Sequence, residues 1–212
     1  MLANNKIIKL WGRTSSDNCT KIFWCLAEIG LDYEWIDTLL PLSQKKQKEL
    51  GTKNPNCLVP ILEDDKYILW ESNAIVRYLC AKYGQTDLYP KKLEKLSEAE
   101  KWMDWQMSTI EKPLSVILWN KYRYKPELRD ELAIAKAIKD VTVAFKLLDE
   151  HLADRIYMLR EKFTMADIPL GVMVYRWFAM DFQKPIFPNL KRWYELLSKR
   201  VEYKKHVKLP LA

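Results

Sequence analysis

Hydrophobic and polar positions change period along this chain, and the change divides it. "KIIKLW" (residues 6–11) predicts a short buried strand. "CTKIFWCLAEIG" then sets Ile22, Cys25 or Leu26, and Ile29 on one helical face, with Gly30 at the expected stop. "DYEWID" alternates as a second strand, Ser43 is placed to cap a short helix through Leu50, and Asn54-Pro55 breaks it. "PILE" and "YILW" predict two strands around a polar "DDK" turn without the usual hairpin glycine, and "SNAIVRYLCAKYG" is helical through Ile75, Val76 and Leu79 to Gly84. The order is βαβαββα. Beyond the polar "GQTDLYPKK" nearly everything has helical period, at about 94–121, 127–153, 164–182 and 189–200. The expected architecture is α/β plus all-α, with residues 1–85 as an α/β unit, 86–93 as a linker and 94–212 as an all-helical unit.

Composition narrows this little. The chain has 212 residues, 49% hydrophobic and 30% charged, with 5 Gly, as expected of an ordered globular protein. Of its net charge of +7, residues 1–85 contribute one unit (11 Lys/Arg against 10 Asp/Glu). The remainder lies in the helical half, where Lys191, Arg192, Lys199, Arg200, Lys204, Lys205 and Lys208 alternate with Trp193, Tyr194, Leu196 and Leu197. That spacing describes a solvated helix face rather than a nucleic-acid surface, with steering of an anionic ligand as the competing reading. Cys19, Cys25, Cys57 and Cys80 form no CxxC, and His151 and His206 are isolated, so neither a metal site nor a disulfide framework is expected. "MLANNKIIKLW" lacks the signal-peptide pattern and no apolar run reaches membrane length, which makes the cytoplasm the expected compartment.

The stretch "LVPILEDDKYILWESNAI" (58–75) carries the chemistry. Pro60 opens a strand, where its missing N–H costs little. A cis Val59-Pro60 bond would leave the backbone groups of Val59 free to pair with an extended peptide. Glu71 and Ser72 fall where a strand becomes a helix, and the first N–H groups of that helix attract a carboxylate. A hydroxyl there can cap its own helix or bind an anion.

The βαβαββα order, "NPNCLVPILED", "LWESNAIVRYL" and the later "FTMADI" resemble the soluble glutathione S-transferase family across nearly the whole chain. The resemblance implies a thioredoxin-like N-terminal domain, an all-helical C-terminal domain, a homodimer and a glutathione site. In that site Val59 pairs with the cysteinyl backbone beside cis Pro60, while Glu71 and Ser72 hold the γ-glutamyl end. The group beside the sulfur distinguishes branches of the family. Trp11 stands where a tyrosine-type enzyme has its phenol, and Ser16 where a cysteine-type enzyme has its thiol. "SDNCTKI" is similar to the serine-type, theta/phi-like bacterial members, with Ser16 as hydroxyl donor to the sulfur and Ser15 or Asn18 as rivals. Ser15, Ser16 or Asp17 would equally serve as a helix cap. Lys45 or Lys53 could meet the glycine carboxylate. Two departures stand out: Leu58 where many relatives have Gly or a polar residue, and Arg160 where Gly is usual.

The chemistry needs a thiolate. A thiol of pKa ~8.5 is only ~3% ionised at pH 7, and lowering it to ~6.5 ionises ~75%, a stabilisation of roughly 2.7 kcal/mol. The weaker nucleophile gives back about 6- to 10-fold in intrinsic reactivity, so most of the acceleration must come from holding an electrophile against the sulfur. Trp105, Ser108, Trp119 and Tyr122, on the first long helix of the helical half or at its end, are the expected electrophile contacts. "FTMADI" reads as folding rather than catalysis, with Thr164 and Asp167 as a reciprocal capping box, Phe163 and Ile168 as its staple, and Pro169 removing a backbone donor without evident reason. Conjugation of glutathione to small electrophiles is the leading expectation. A dehalogenase or isomerase using the same thiol, or a non-catalytic binding or regulatory module, are the alternatives.

Overall fold

The structure, a computed structural model, describes residues 8–84 and 87–211. The chain forms two compact units, Met1–Gln85 and Thr86–Ala212. Lys6 and Ile7 of the expected first strand, and Gln85 and Thr86 at the expected boundary, lie outside the described residues.

The first unit has the thioredoxin-like order β1 (Ile8–Gly12), α1 (Asp17–Ile29), β2 (Tyr33–Asp37), α2 (Gln44–Lys53), β3 (Ile61–Asp64), β4 (Tyr67–Trp70) and α3 (Ser72–Tyr83). Its sheet runs β2-β1-β3-β4, with β1 parallel to β2 and antiparallel to β3, and β3 antiparallel to β4. Alternation along the central strands β1 and β3 buries side chains on both faces of the sheet. Trp11, Leu50 and Ile61 form one cluster, joined by Ile36, Leu42, Val59 and Trp70. Leu10 and Leu62, opposite one another in register, are fully buried on the other face, which is left to the packed pair α1 and α3. Where α1 meets α3 the Sγ atoms of Cys25 and Cys80 lie 3.7 Å apart, both thiols reduced and buried.

Local chemistry sets the boundaries. α1 ends where Gly30 turns left-handed at φ 71°. Ser43 does cap α2, accepting from the Lys46 N–H at 3.3 Å, but the helix runs past Leu50 to Lys53. The hairpin manages without glycine because Asp65 adopts φ 59°, a conformation that Asp tolerates better than most side chains.

The second unit is helical throughout: α4 (Leu93–Trp105), α5 (Lys112–Leu118), α6 (Glu131–His151), α7 (Asp167–Ala179), α8 (Pro188–Leu197) and α9 (Val201–His206). Three corrections to the sequence expectations follow. The expected helix at about 94–121 is real but contains π-helical turns at Gln106–Glu111 and Trp119–Arg123, so its face rotates along its length. The next helix begins at Glu131 under an Asp130 cap rather than near 127, where Pro126–Leu128 forms a 3-10 turn. α9, too short to announce itself by periodicity, was not expected at all. α7 is the core element, buried at every position from Asp167 to Trp177. Phe145 packs on Trp177 at 4.8 Å, and the Tyr203 hydroxyl donates to the Gly171 carbonyl at 2.8 Å.

The start of α7 differs from a reciprocal capping box. Asp167 accepts from Thr164 N–H at 2.9 Å, but the Thr164 hydroxyl donates to the same carboxylate at 3.2 Å instead of receiving the Asp167 N–H, which goes to the Thr164 carbonyl. The carboxylate also takes Met158 N–H at 2.9 Å and the Trp193 indole at 3.2 Å. Phe163 packs against Tyr157 and under the Arg200 guanidinium. Pro169 is the third residue of the α-helix, where a backbone N–H would have no partner within the helix, so its missing donor costs nothing there.

Candidate functional site

Two helices of the first unit begin side by side. Ser16 sits at the N-cap of α1 in extended conformation, and its Oγ accepts from Cys19 N–H at 3.4 Å, a long contact. The cap and the sulfur-donor readings are compatible: the oxygen accepts from the backbone, and the hydroxyl, which here lies within hydrogen-bond reach of the Cys19 thiol, keeps a proton to donate to a sulfur. At the start of α3, Glu71 occupies the N-cap at φ 74°, exposed, with no side-chain bond to the helix it precedes. Ser72 behind it is buried.

A buried hydrogen-bonded triangle joins the two starts. Lys21 Nζ donates to Asn18 Oδ1 at 2.8 Å and to Ser72 Oγ at 3.3 Å, and Ser72 Oγ donates to Asn18 Oδ1 at 3.0 Å. Asn18 and Lys21 come from the first turns of α1, Ser72 from the first residue of α3. Sequence reasoning missed this arrangement. The available signal was a lysine inside "CTKIFWCL", a run buried from Cys19 to Leu26, with a carboxamide three residues before it on the same helical face.

Val59 joins the same neighbourhood. The Val59-Pro60 bond is cis. The hairpin pairs Ile61 with Trp70, and continuing that register by two residues brings position 59 opposite position 72. Among the described residues, the Val59 N–H and C=O take no backbone partner, whereas the neighbouring Leu58 carbonyl is held by Asn54 Nδ2 at 2.9 Å. Ser16, Val59, Glu71 and Ser72, chosen from sequence, are therefore gathered around one sheet end and two helix N-termini, where partial positive charge collects.

The lysines fare differently from one another. Lys53 pairs with Glu63 at 3.0 Å and lies over the Trp11 ring, and the indole N–H of Trp11 also donates to Glu63. Its charge is thus already balanced. Lys45 lines, with Lys9, Trp11, Glu34, Lys53 and Glu63, a cleft of about 440 Å³ between α2 and the sheet. Cys19 is packed rather than reactive, because burial pushes its thiol pKa up.

Sequence and structure searches place this geometry among known proteins. Residues 7–81 match the family "Glutathione S-transferase, N-terminal domain" and residues 119–200 match "Glutathione S-transferase, C-terminal domain". Glutathione S-transferase GstB of Escherichia coli K12 is 39% identical over 208 residues, 97% of this chain and 100% of that one. The chain belongs to the glutathione S-transferase family. Glutathione S-transferase F12 of Arabidopsis thaliana is similar at 27% identity, with 94% of this chain and 96% of that one covered. A theta class glutathione S-transferase from Xanthomonas axonopodis pv. citri, solved with glutathione bound, superposes with a TM-score of 0.92 at 36% identity, covering 98% of this chain and all of that one.

Within this family member, the four residues chosen for the electrophile do not form one group. Trp105 packs edge-on against Trp102 at 5.1 Å, and the exposed Ser108 hydroxyl turns back to the Trp105 carbonyl at 3.4 Å. Trp119 and Tyr122 lie eleven or more residues beyond Ser108, roughly 16 Å or more by helical rise. There Trp119 packs at a tilt against Tyr124 and under the Arg123 guanidinium, while the Tyr122 hydroxyl accepts from Asp181 N–H. Among the described residues no His/Cys/Asp/Glu group is arranged to hold a metal, and no helix is long and apolar enough to cross a membrane.

Proposed function

We propose that this protein is a glutathione transferase that binds glutathione at the joined N-termini of α1 and α3 and conjugates its thiolate to small electrophiles. One observation carries the reading: two helix N-termini, tied by the Lys21–Asn18–Ser72 triangle, present a donor-capable Ser16 hydroxyl on one side and an exposed Glu71 carboxylate on the other. The chemistry of the tripeptide suits that arrangement. Its cysteinyl backbone pairs with the free N–H and C=O of Val59 beside Pro60. Its γ-glutamyl ammonium meets Glu71, and its carboxylate meets Ser72 and the first N–H groups of α3. Its sulfur lies against Ser16, whose proton supports the thiolate.

Lys45 is the better cation for the glycine carboxylate, since Lys53 is committed to Glu63. The electrophile contacts fall to Trp105 and Ser108 as one pair, with Trp119 and Tyr122 as a separate one. We further propose a homodimer working in the cytoplasm, as the family resemblance implies.

The test is a glutathione titration followed by the ultraviolet absorbance of the thiolate between pH 5 and 9. The reading requires saturable binding and a bound-thiol midpoint well below ~8.5. Binding with an unshifted midpoint would leave a glutathione-binding module without activation.

A further inference from the structure

A cleft of about 650 Å³ in the helical unit lies between the start of α4 and the turn that precedes α7, and none of its lining residues belongs to the proposed glutathione site. Its size suits a small organic ligand. Cations dominate the lining. Lys91, Lys92 and Lys95 come from the entry and first turn of α4, Arg160 and Lys162 from the turn across the cleft. The carboxylates of the lining are Asp87 and Glu161. Asp87 is taken by Lys162 at 2.7 Å, and Arg160 reaches Asp154 only at 3.8 Å. Among the described residues Lys91, Lys92 and Lys95 form no ion pair, and neither Glu161 nor Glu94, the acidic residue of that first turn, pairs with any of them.

Folding does not account for this arrangement. Like charges gathered on one cleft repel, and a helix start favours a capping oxygen or a carboxylate, whereas α4 begins at Lys92 without a side-chain cap. Across the cleft Arg160 holds φ 85°, a left-handed backbone that glycine adopts without strain. Its carbonyl receives Ile156 N–H and Tyr157 N–H, both at 2.8 Å, so the turn is fixed and an arginine is kept in it despite that cost. The uncapped N–H groups of α4 add partial positive charge to the lysines. Tyr89 and Leu159, both half-buried, supply an apolar part of the wall.

We propose that this cleft binds a nucleoside di- or triphosphate. The base lies against Tyr89 and Leu159, and the phosphates lie between Lys92, Lys95 and Arg160, whose planar guanidinium can take two phosphate oxygens at once. Several uncompensated cations require a ligand with more than one negative charge, and the aromatic wall beside them requires a ring on the same molecule. A nucleic acid strand would need cations in a row along an open face, whereas these surround one cleft.

Calorimetry with ADP, adenosine and pyrophosphate tests the assignment at about 150 mM salt, where exposed charges are screened beyond ~8 Å. ADP should bind with a Kd on the order of 10–100 μM, and adenosine and pyrophosphate each at least about tenfold more weakly. Excess glutathione should leave ADP binding unchanged. The double variant Lys92→Gln, Lys95→Gln should weaken ADP about tenfold. Arg160→Gly should weaken it about fivefold while raising the melting temperature, so that its loss of affinity cannot come from unfolding. The control pair Lys204→Gln, Lys205→Gln, at exposed positions of α9 outside the cleft, should change nothing. The proposal is overturned by the absence of ADP binding, by adenosine or pyrophosphate binding as tightly as ADP, or by displacement of ADP with glutathione. An equal loss in the α9 pair overturns it as well, since it would reduce the effect to a general attraction of polyanions.

Discussion

Helices α3 and α7 both start with a carboxylate at hand and with backbone N–H groups that no helix can satisfy internally. At α7 the chain answers from within: Asp167, fully buried, gathers Thr164 N–H, Thr164 Oγ, Met158 N–H and the Trp193 indole. At α3 Glu71 stays exposed and makes no bond to its helix, while Ser72 behind it is tied to Asn18 and Lys21. The same field is consumed by folding in one unit and left available to a ligand in the other. Stability and binding should therefore separate by mutation.

The largest effect belongs to α7. Asp167→Ala leaves four buried donors without their acceptor and should cost about 3–5 kcal/mol in urea denaturation, with little change in glutathione affinity of the folded fraction. A parallel loss of affinity would erase the contrast. Asp167→Asn adds a pH signature. Burial raises this carboxyl to about 6, against 3.8 unperturbed, although its hydrogen bonds pull the other way. The native state therefore binds the proton more tightly than the unfolded state. The stabilisation is complete only well below pH ~3.8 and is lost as pH rises through ~6, so relative to Asp167→Asn the wild type should lose roughly 2 kcal/mol between pH 4 and 7.

Effects at the open end are smaller and of another kind. Ser16→Ala should lower kcat/KM about tenfold at pH 6.5, a deficit that narrows toward pH 9 as the unassisted thiol ionises. A deficit constant with pH would make Ser16 a helix cap alone. Ser72→Ala should weaken glutathione about tenfold while changing the melting temperature little, and unchanged retention on immobilised glutathione would argue against the assignment. The smallest change expected is a gain. Arg160 holds φ 85° in the turn that presents Met158 N–H to Asp167, so Arg160→Gly should stabilise by about 0.5–1 kcal/mol.

The fold was legible in the sequence wherever period and punctuation agreed, as at α1 with Gly30 or the β3–β4 pair before α3. It was obscured where signals are short or nonlocal. α9 spans 6 residues, and the π-helical turns at Gln106–Glu111 and Trp119–Arg123 leave no mark in the hydrophobic period. At the site, Val59, Glu71 and Ser72 could be chosen because strand, turn and helix chemistry converge within one short segment. Lys21 could not, since its meaning depends on Ser72, 51 positions away. The same blindness affected Lys53, an open cation by sequence whose counter-charge, Glu63, arrives from another strand. The electrophile candidates rest on membership of one long helix, and periodicity does not show that this helix contains π-helical turns.

Cys57 is exposed, whereas Cys19, Cys25 and Cys80 are shielded from solvent. A maleimide dye added to the native protein should accordingly attach at a single place, two residues before Val59, without any engineering of the other thiols. The chain thus carries its own attachment point for a fluorescent reporter beside the segment on which tripeptide docking is proposed to occur.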